Sequence, residues 1–449
     1  MRGLRSTIAL LVVLIAVGGY AYYISKKPAE DTSSKQEKVF GSVQADKIDE
    51  IRIKSASGDT TTVRKENSTW QVVDPIKARA DESELSGLTS ALAQLSVVRV
   101  IDEKPADLKD YGLATPRIEI AFKTDAEKTP SKKLLIGEKS PTGSDLFAER
   151  NGETRVFLIP SFQESTFNRS TFDLRDKTVL KFDRDKVDGI EVTAGGKPLQ
   201  LAKEGADWKI TKPLLVRADF GAVEGLIGRL QTVQMKSIVT PEPSAADLKK
   251  YGLDKPSATV NLNMGSARAT LVVGAKAEDT TVYARDTSKP AVMTIESALA
   301  DELKKGADDY RRKDIFEFRA YNANRLEITR NGQTIVFEKV KGQGQNAADK
   351  WRRVSPKPGD VDKDKMDSLL SRLSNMRAAS FVESTAKTGL DAPAMTVAVK
   401  FDDGKKEERV TFGKTEPDAF AARPGEPGAA KIDTTDFTEA TKTLDEISK

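Results

Sequence analysis

Apolar positions along this chain fall into a pattern that occurs three times. Leu85, Leu88, Leu92 and Leu95 share their spacing with Val223, Leu226, Leu230 and Val233, and again with Met366, Leu369, Leu373 and Met376. Steps of three, four and three residues place side chains on one stripe of a helix, so each run predicts a helix packed by one face. Upstream of each stripe, apolar and polar residues alternate: Ile48-x2-Ile51-x-Ile53, Val187-x2-Ile190-x-Val192 and Leu326-x-Ile328. A period near two predicts half-buried strands. The turns Ser57-Gly58-Asp59, Gly195-Gly196-Lys197 and Asn331-Gly332 follow, which makes each start a hairpin whose next strand leads to a tryptophan.

Those tryptophans open a block of the form Trp-x4-Pro-x5-Asp. Its copies are Trp70, Pro75, Asp81; Trp208, Pro213, Asp219; and Trp351, Pro356, Asp362, and they account for every tryptophan in the chain. The proline is expected to end strand pairing. The aspartate lies four residues before the first stripe position, where a carboxylate caps free backbone N–H groups. Self-similarity at separations of 138 and 143 residues means one domain used three times.

Further along each unit, Gly112-Leu-x2-Pro, Gly252-Leu-x2-Pro and Gly389-Leu-x2-Pro follow a capping residue (Asp107, Asp247, Ser384). This predicts one helical turn closed by a left-handed glycine. Strands ending in Gly137, Gly274 and Gly413 come next, then strands ending in Arg150, Arg285 and Arg423, then a strand and a closing helix. Units one and two close with Leu174-Arg-Asp-Lys177 and Tyr310-Arg-Arg-Lys313, and unit three ends without that segment, as expected of a terminal cap. The expected class is α+β, with three tandem domains of mostly antiparallel sheet, each with a packed helix, over residues 39–180, 181–316 and 317–449.

Before the first unit, residues 8–24 form an uncharged and mostly apolar run. As a helix it spans about 25 Å, close to a ~30 Å hydrocarbon core. Arg2 and Arg5 precede it, Tyr20, Tyr22 and Tyr23 mark its far end, and Lys26 and Lys27 follow. Residues 1–24 are expected to be a cytoplasmic tip and an uncleaved transmembrane anchor. A cleaved signal peptide at Ala16-Val17-Gly18 is the competing reading, less favoured because cleavage there would leave apolar residues behind. Both export the remainder of the chain. Residues 25–38 are polar and aperiodic, as a spacer would be.

Charge changes the picture little. Lys and Arg number 72 against 68 Asp and Glu, interspersed in sign, and the longest basic cluster, Arg311-Arg312-Lys313, reads as solvated surface. No nucleic-acid partner is expected. The chain contains no cysteine and no histidine. Disulfides, thiolate nucleophiles, imidazole metal ligands and Ser-His-Asp hydrolysis are thereby excluded, and no cofactor is expected.

Four sets of residues could still carry chemistry. Ser384-Thr-Ala-Lys387 matches a Ser-x2-Lys signature, but it aligns with the capped turns of the other units and lacks partner motifs. Trp70, Trp208 and Trp351 could stack on sugars, although an aromatic at one place in every copy is better read as a core anchor. Arg150, Arg285 and Arg423 share one place in the repeat and could hold an anion, with pairing to a nearby acid such as Glu149 the plainer account. Asp81, Asp219 and Asp362 are better explained as caps than as catalytic acids. No catalytic, cofactor or metal residue is assigned.

Taken together, the Gly-Leu-x2-Pro turn, the Trp-x4-Pro block, the strand ending in arginine and the Leu-Arg-Asp-Lys close resemble a bacterial DUF4340-type envelope domain from about residue 39 onward. In unit three the likeness is weaker, with Thr388 in place of the Tyr-Gly-Leu tyrosine. The resemblance implies a membrane-anchored envelope protein associated with ABC-type transport components, and it brings no established activity. The expected function is a non-enzymatic scaffold or accessory subunit. It would sit on the inner membrane through residues 8–24, with the bulk of the chain extracytoplasmic and an envelope protein such as an ABC-type permease as partner. Alternatives are a periplasmic glycan or lipid receptor using grooves between domains, and a carboxylate-based glycan hydrolase.

Overall fold

The computed structural model describes residues 37–125, 127–128, 130–342 and 349–448. The expected anchor at 8–24 and nearly all of the expected spacer at 25–38 lie outside the described residues. No described helix is long and apolar enough to cross a membrane. Glu37 and Lys38 already belong to the first domain, because Val97 N–H donates to the Glu37 carbonyl and Lys38 bridges to Ser96.

Alternating strands do form, and there are more of them than the pattern announced. The first sheet contains β1 (Ile48–Lys54), β2 (Thr60–Glu66), β3 (Thr69–Asp74), β4 (Ala78–Arg79), β5 (Arg99–Asp102), β6 (Ile118–Thr124), β7 (Lys132–Lys139), β8 (Asp145–Arg150) and β9 (Val156–Pro160). The order across it is β4-β3-β2-β1-β6-β7-β8-β9-β5. In the second sheet are β10 (Gly189–Ala194), β11 (Lys197–Glu204), β12 (Asp207–Lys212), β13 (Val216–Arg217), β14 (Ser237–Thr240), β15 (Ala258–Met264), β16 (Ala267–Glu278), β17 (Thr281–Asp286) and β18 (Val292–Glu296). The third has β19 (Ala323–Arg330), β20 (Gln333–Val340), β21 (Lys350–Ser355), β22 (Gly359–Asp360), β23 (Ala378–Val382), β24 (Met395–Phe401), β25 (Lys406–Thr415), β26 (Asp418–Ala422) and β27 (Ala429–Ile432). All three follow one order and pair antiparallel. The chain divides into two compact units after Lys177, the first holding the first sheet and the second holding the other two.

Each repeat thus opens with two hairpins, not one. The single strand expected before the tryptophan is two strands joined by a tight turn, at Asn67-Ser68 in the first repeat, where both residues have positive φ. The equivalent turn of the second repeat holds Gly205 at φ 63°. In β1, Ile48 and Ile51 are three residues apart yet both fully buried, because a bulge between Ile48 and Glu50 restores the inward face.

The predicted helices are Glu82–Gln94, Phe220–Thr232 and Lys363–Ser374. Their first three stripe positions are buried in every copy, and the fourth (Leu95, Val233, Met376) falls just past the helix end. There its carbonyl receives the N–H of the residue entering the repeat: Val39, Val179 or Ile315. Ile315 and Phe316 consequently sit in the third core, slightly ahead of the expected start at 317.

The Trp-x4-Pro-x5-Asp block has a definite job in each repeat. Trp70, Trp208 and Trp351 are buried to 4%, 1% and 8% exposure. Each proline follows a cis peptide bond. The tryptophan strands end immediately before it, at Asp74, Lys212 and Ser355, as expected, and the chain then reverses to lay a new two-residue strand against the one it left, Gln71 opposite Arg79 and Lys209 opposite Arg217. The aspartates cap their helices, with Asp81 accepting from Ser83 and Glu84 N–H, Asp219 from Ala222 and Asp362 from Lys365.

Gly112, Gly252 and Gly389 take φ of 66°, 68° and 72°, the left-handed closure expected. The elements they close differ: a 3-10 turn at Lys109–Tyr111, an α-helix at Ala245–Lys250, and plain turns in the third copy. In the second copy Ser244 is the cap, and Asp247, expected in that role, is the third-position acid of its capping box. The strand glycines answer these turns. A methyl on Gly137, Gly274 or Gly413 would overlap the carbonyl of Tyr111, Tyr251 or Thr388, so the turn is laid directly on strand backbone.

Two substitutions test this packing. Trp208→Ala should cost about 3–5 kcal/mol in denaturant unfolding of the second unit, and a melt identical to wild type would remove the tryptophan from the core role. Gly225 faces open space on an exposed helix position. Gly225→Ala should therefore stabilise by up to about 1 kcal/mol, whereas Gly274→Ala should lower the melting temperature.

Candidate functional site

The densest set of buried charges among the described residues lies within the second compact unit, where the second repeat meets the third. Four backbone bonds hold the connecting strand. Asp219 N–H donates to the Tyr310 carbonyl and Arg312 N–H to Arg217 on the second-repeat side; Ile315 N–H donates to Met376 and Ala378 N–H to Lys313 on the third-repeat side. The Tyr310-Arg-Arg-Lys313 close is therefore an extra edge segment beside β13 that passes straight into the next repeat.

This path brings three arginines onto three glutamates. Arg217 at the end of β13 donates from Nε to Glu426 Oε1 at 2.6 Å, from Nη1 to Glu317 Oε1 at 3.2 Å and from Nη2 to the Asp314 carbonyl at 3.3 Å. Arg311 stacks its guanidinium 4.0 Å from the Phe381 ring centroid, donates to the Pro427 carbonyl at 3.3 Å and lies 3.6 Å from Glu426 Oε2. Arg423 donates to Glu408 Oε2 at 2.7 Å and to the Ile315 carbonyl at 2.9 Å.

Glu408 has a side chain only 3% exposed, and its oxygens also take the N–H groups of Glu317 and Phe318. Burial pulls the Arg311 guanidinium below its ordinary value, and Glu426 acts against that. An arginine in such a place remains a cation. Its Nε is buried with no hydrogen-bond partner, a cost borne by the stacking and the carboxylate. A cavity of only about 20 Å³ remains at the seam, room for about one water molecule. The groove imagined as a ligand site between these two repeats is filled by side chains.

The sequence candidates land in distinct places. Arg423 belongs to this seam. Arg150 pairs with Glu153 and donates to the Val39 carbonyl, while the expected neighbour Glu149 has a buried oxygen without a partner, and burial pushes its carboxyl up. Arg285 does not share their position: Ala148, Ala284 and Ala421 occupy one register, and Arg150, Asp286 and Arg423 follow two residues on. One strand residue turns a side chain to the other face, so Arg285 points away from the site and donates to the Lys289 carbonyl.

Ser384 takes the Ala386 N–H, and Lys387 is exposed at positive φ, its carbonyl held by Thr415. All three tryptophans are buried as core anchors, although Trp351 also borders an opening. Arg311, read as solvated surface, is instead 6% exposed. Glu408, Glu426 and Glu317 were not singled out from sequence. The available signal was an acid three residues after Arg150 and after Arg423.

Among the described residues no group of three or more acids could hold a metal ion. An opening of about 1140 Å³ lies in the third repeat among Tyr321, Gly342, Asp349, Trp351 and Arg352.

Fold and seam together define a tandem-repeat α+β protein of three nine-stranded antiparallel sheets. The chain belongs to the DUF4340 family, a domain of unknown function whose model matches residues 70–209, 208–393 and 351–449. Those matches begin at Trp70, at Trp208 and at Trp351, so the repeated tryptophan marks the family unit although each sheet begins upstream of it. No curated protein matches the chain. Among solved structures it is similar to a DNA polymerase sliding clamp from Pseudomonas aeruginosa, with 9% identity, a TM-score of 0.17, and coverage of 88% of this chain and 93% of that one. A likeness that low carries no argument.

Removing one member of a buried, hydrogen-bonded ion pair leaves the other charge uncompensated. Arg423→Ala should therefore destabilise the second unit by about 3–5 kcal/mol, read as a shift in urea midpoint. An equal loss from Arg409→Ala, an exposed position on the same sheet, would show the effect to be unspecific.

Proposed function

We propose that this protein is a non-enzymatic, membrane-anchored extracytoplasmic scaffold, acting as an accessory subunit of an envelope transport assembly of the ABC type. The observation that carries this reading is the use to which the buried charges are put. Arg217, Arg311, Arg423, Glu317, Glu408 and Glu426 pair with one another and with the backbone in joining two repeats, and a set of charges so engaged stiffens a chain. Two repeats joined in this way suit a binding platform for partners.

The apolar run at 8–24 supports attachment, and the flanking Arg2 and Arg5 favour an orientation that exports the rest. The family resemblance supports an envelope transport partner such as an ABC-type permease. The missing histidine and cysteine remove the commonest catalytic groups and leave a structural role the simplest account.

Membrane fractionation tests the placement. The full chain should stay with inner membranes through alkaline carbonate extraction and become protease-sensitive only once the periplasm is opened, while a chain beginning at Glu37 should be released. Cross-linking in intact membranes should then recover a permease subunit. Finding the full chain as a free monomer in the cytoplasm would overturn the proposal.

A further inference from the structure

All three repeats carry an ion pair between residues three apart at one corner, and its polarity is not constant. Repeat one has Arg150–Glu153 and repeat three has Arg423–Glu426, with the cation first. Repeat two has Asp286–Lys289, with the signs exchanged. Strand register puts the three pairs at one place.

Inside each repeat the pair does the same job, because a cation from it reaches the carbonyl of the residue entering the domain. Arg150 reaches Val39, Lys289 reaches Val179 and Arg423 reaches Ile315. What differs is the sign of the second member, which is acid, base and acid in turn.

That second member meets different company in each repeat. Glu426 gathers Arg217 and Arg311 from the second repeat. Glu153 is taken by Arg155, two residues further along the same repeat, which also pairs with Glu37. In repeat three the position two residues beyond the acid is Gly428, where any side chain would strike the Val382 carbonyl. Repeat three therefore has no counterpart of Arg155, and apart from the 3.9 Å contact with Arg423 its acid faces the neighbouring repeat. In repeat two Lys289 stands in the acid's place, and a lysine repels an arginine edge.

We infer that Glu426 is the specificity-determining residue of the junction, the one carboxylate of the third repeat that meets both Arg217 and Arg311 on the arginine edge of the second, with Glu317 and the Pro427 carbonyl each taking one of them. The fold alone does not make one repeat fit the next, since all three share it. Selection rests on a carboxylate that is turned to the neighbour's arginines in repeat three, taken by Arg155 in repeat one and replaced by a base in repeat two. Charge placed this way acts chiefly by excluding wrong pairings, because an unpaired or like charge in a desolvated seam is costly.

The absence of cysteine makes the test direct. Introduced cysteines at the exposed positions Lys255 and Lys405 would carry spin labels on the second and third repeats of the full chain in detergent micelles. The wild-type background should give one narrow distance. Glu426→Lys, which installs the second repeat's charge, should abolish that narrow distance while far-UV circular dichroism stays unchanged. Arg217→Glu, made on the other repeat, should do the same, and it supplies the reading should Glu426→Lys fail to fold. Retention of the narrow distance in a folded Glu426→Lys or Arg217→Glu variant would overturn the inference. The readout involves no membrane partner, so it stands or falls apart from the proposed scaffold role.

Discussion

Burying one face of a long antiparallel sheet under a stripe helix and a shorter or later closing helix is the constraint on which every repeat depends. A nine-stranded sheet has far more inward side chains than thirteen helical residues can cover alone. The tryptophan enlarges the cover beside the helix, and the reversal after the proline lays a short edge strand, β4 or its equivalents, against the strand that carries it. At the other end, β5 and its equivalents come back from the helix to pair with the last long strand. The cap aspartate, the helix stripe and the carbonyl just past the helix form one continuous support for that helix, which is why they recur at constant offsets.

Glycine does a different kind of work in this fold. Each Gly-Leu-x2-Pro turn lies on the outer face of its sheet, close enough that the strand beneath must be glycine as well. Two glycines distant in sequence are thereby one structural feature, with a left-handed backbone above and a missing side chain below. Leu113 and Leu253, following those turns, are buried as a result.

Buried charge joins repeats where apolar surface builds them. Desolvated guanidinium–carboxylate contacts add little net stability over apolar ones, and their value lies in what they exclude. In the second unit the connecting strand is short and pinned on both sides, so its arginines reach their acids without a long loop to order. The charge reversal at Asp286–Lys289 keeps the internal carbonyl contact while changing the outward sign, so interior and junction requirements are met by one pair of residues.

From sequence alone, period and composition determined that there are three similar α+β units, that each carries a stripe helix with an aspartate cap, and that Gly112, Gly252 and Gly389 close turns; these depend on local spacing and backbone stereochemistry. The same local information missed the second hairpin, whose two-residue turn interrupts one continuous run, and it placed Arg285 with Arg150 and Arg423 because one residue of strand register is invisible without the partner strand. Arg311 looked like surface for a related reason: a run of three cations is ordinarily solvated, and only the approach of Glu426 and Phe381 from the next repeat buries it. Whether an arginine is a surface charge or a junction residue was decided by tertiary structure, since burial is set by residues far along the chain, 70 positions away at Phe381 and 115 at Glu426.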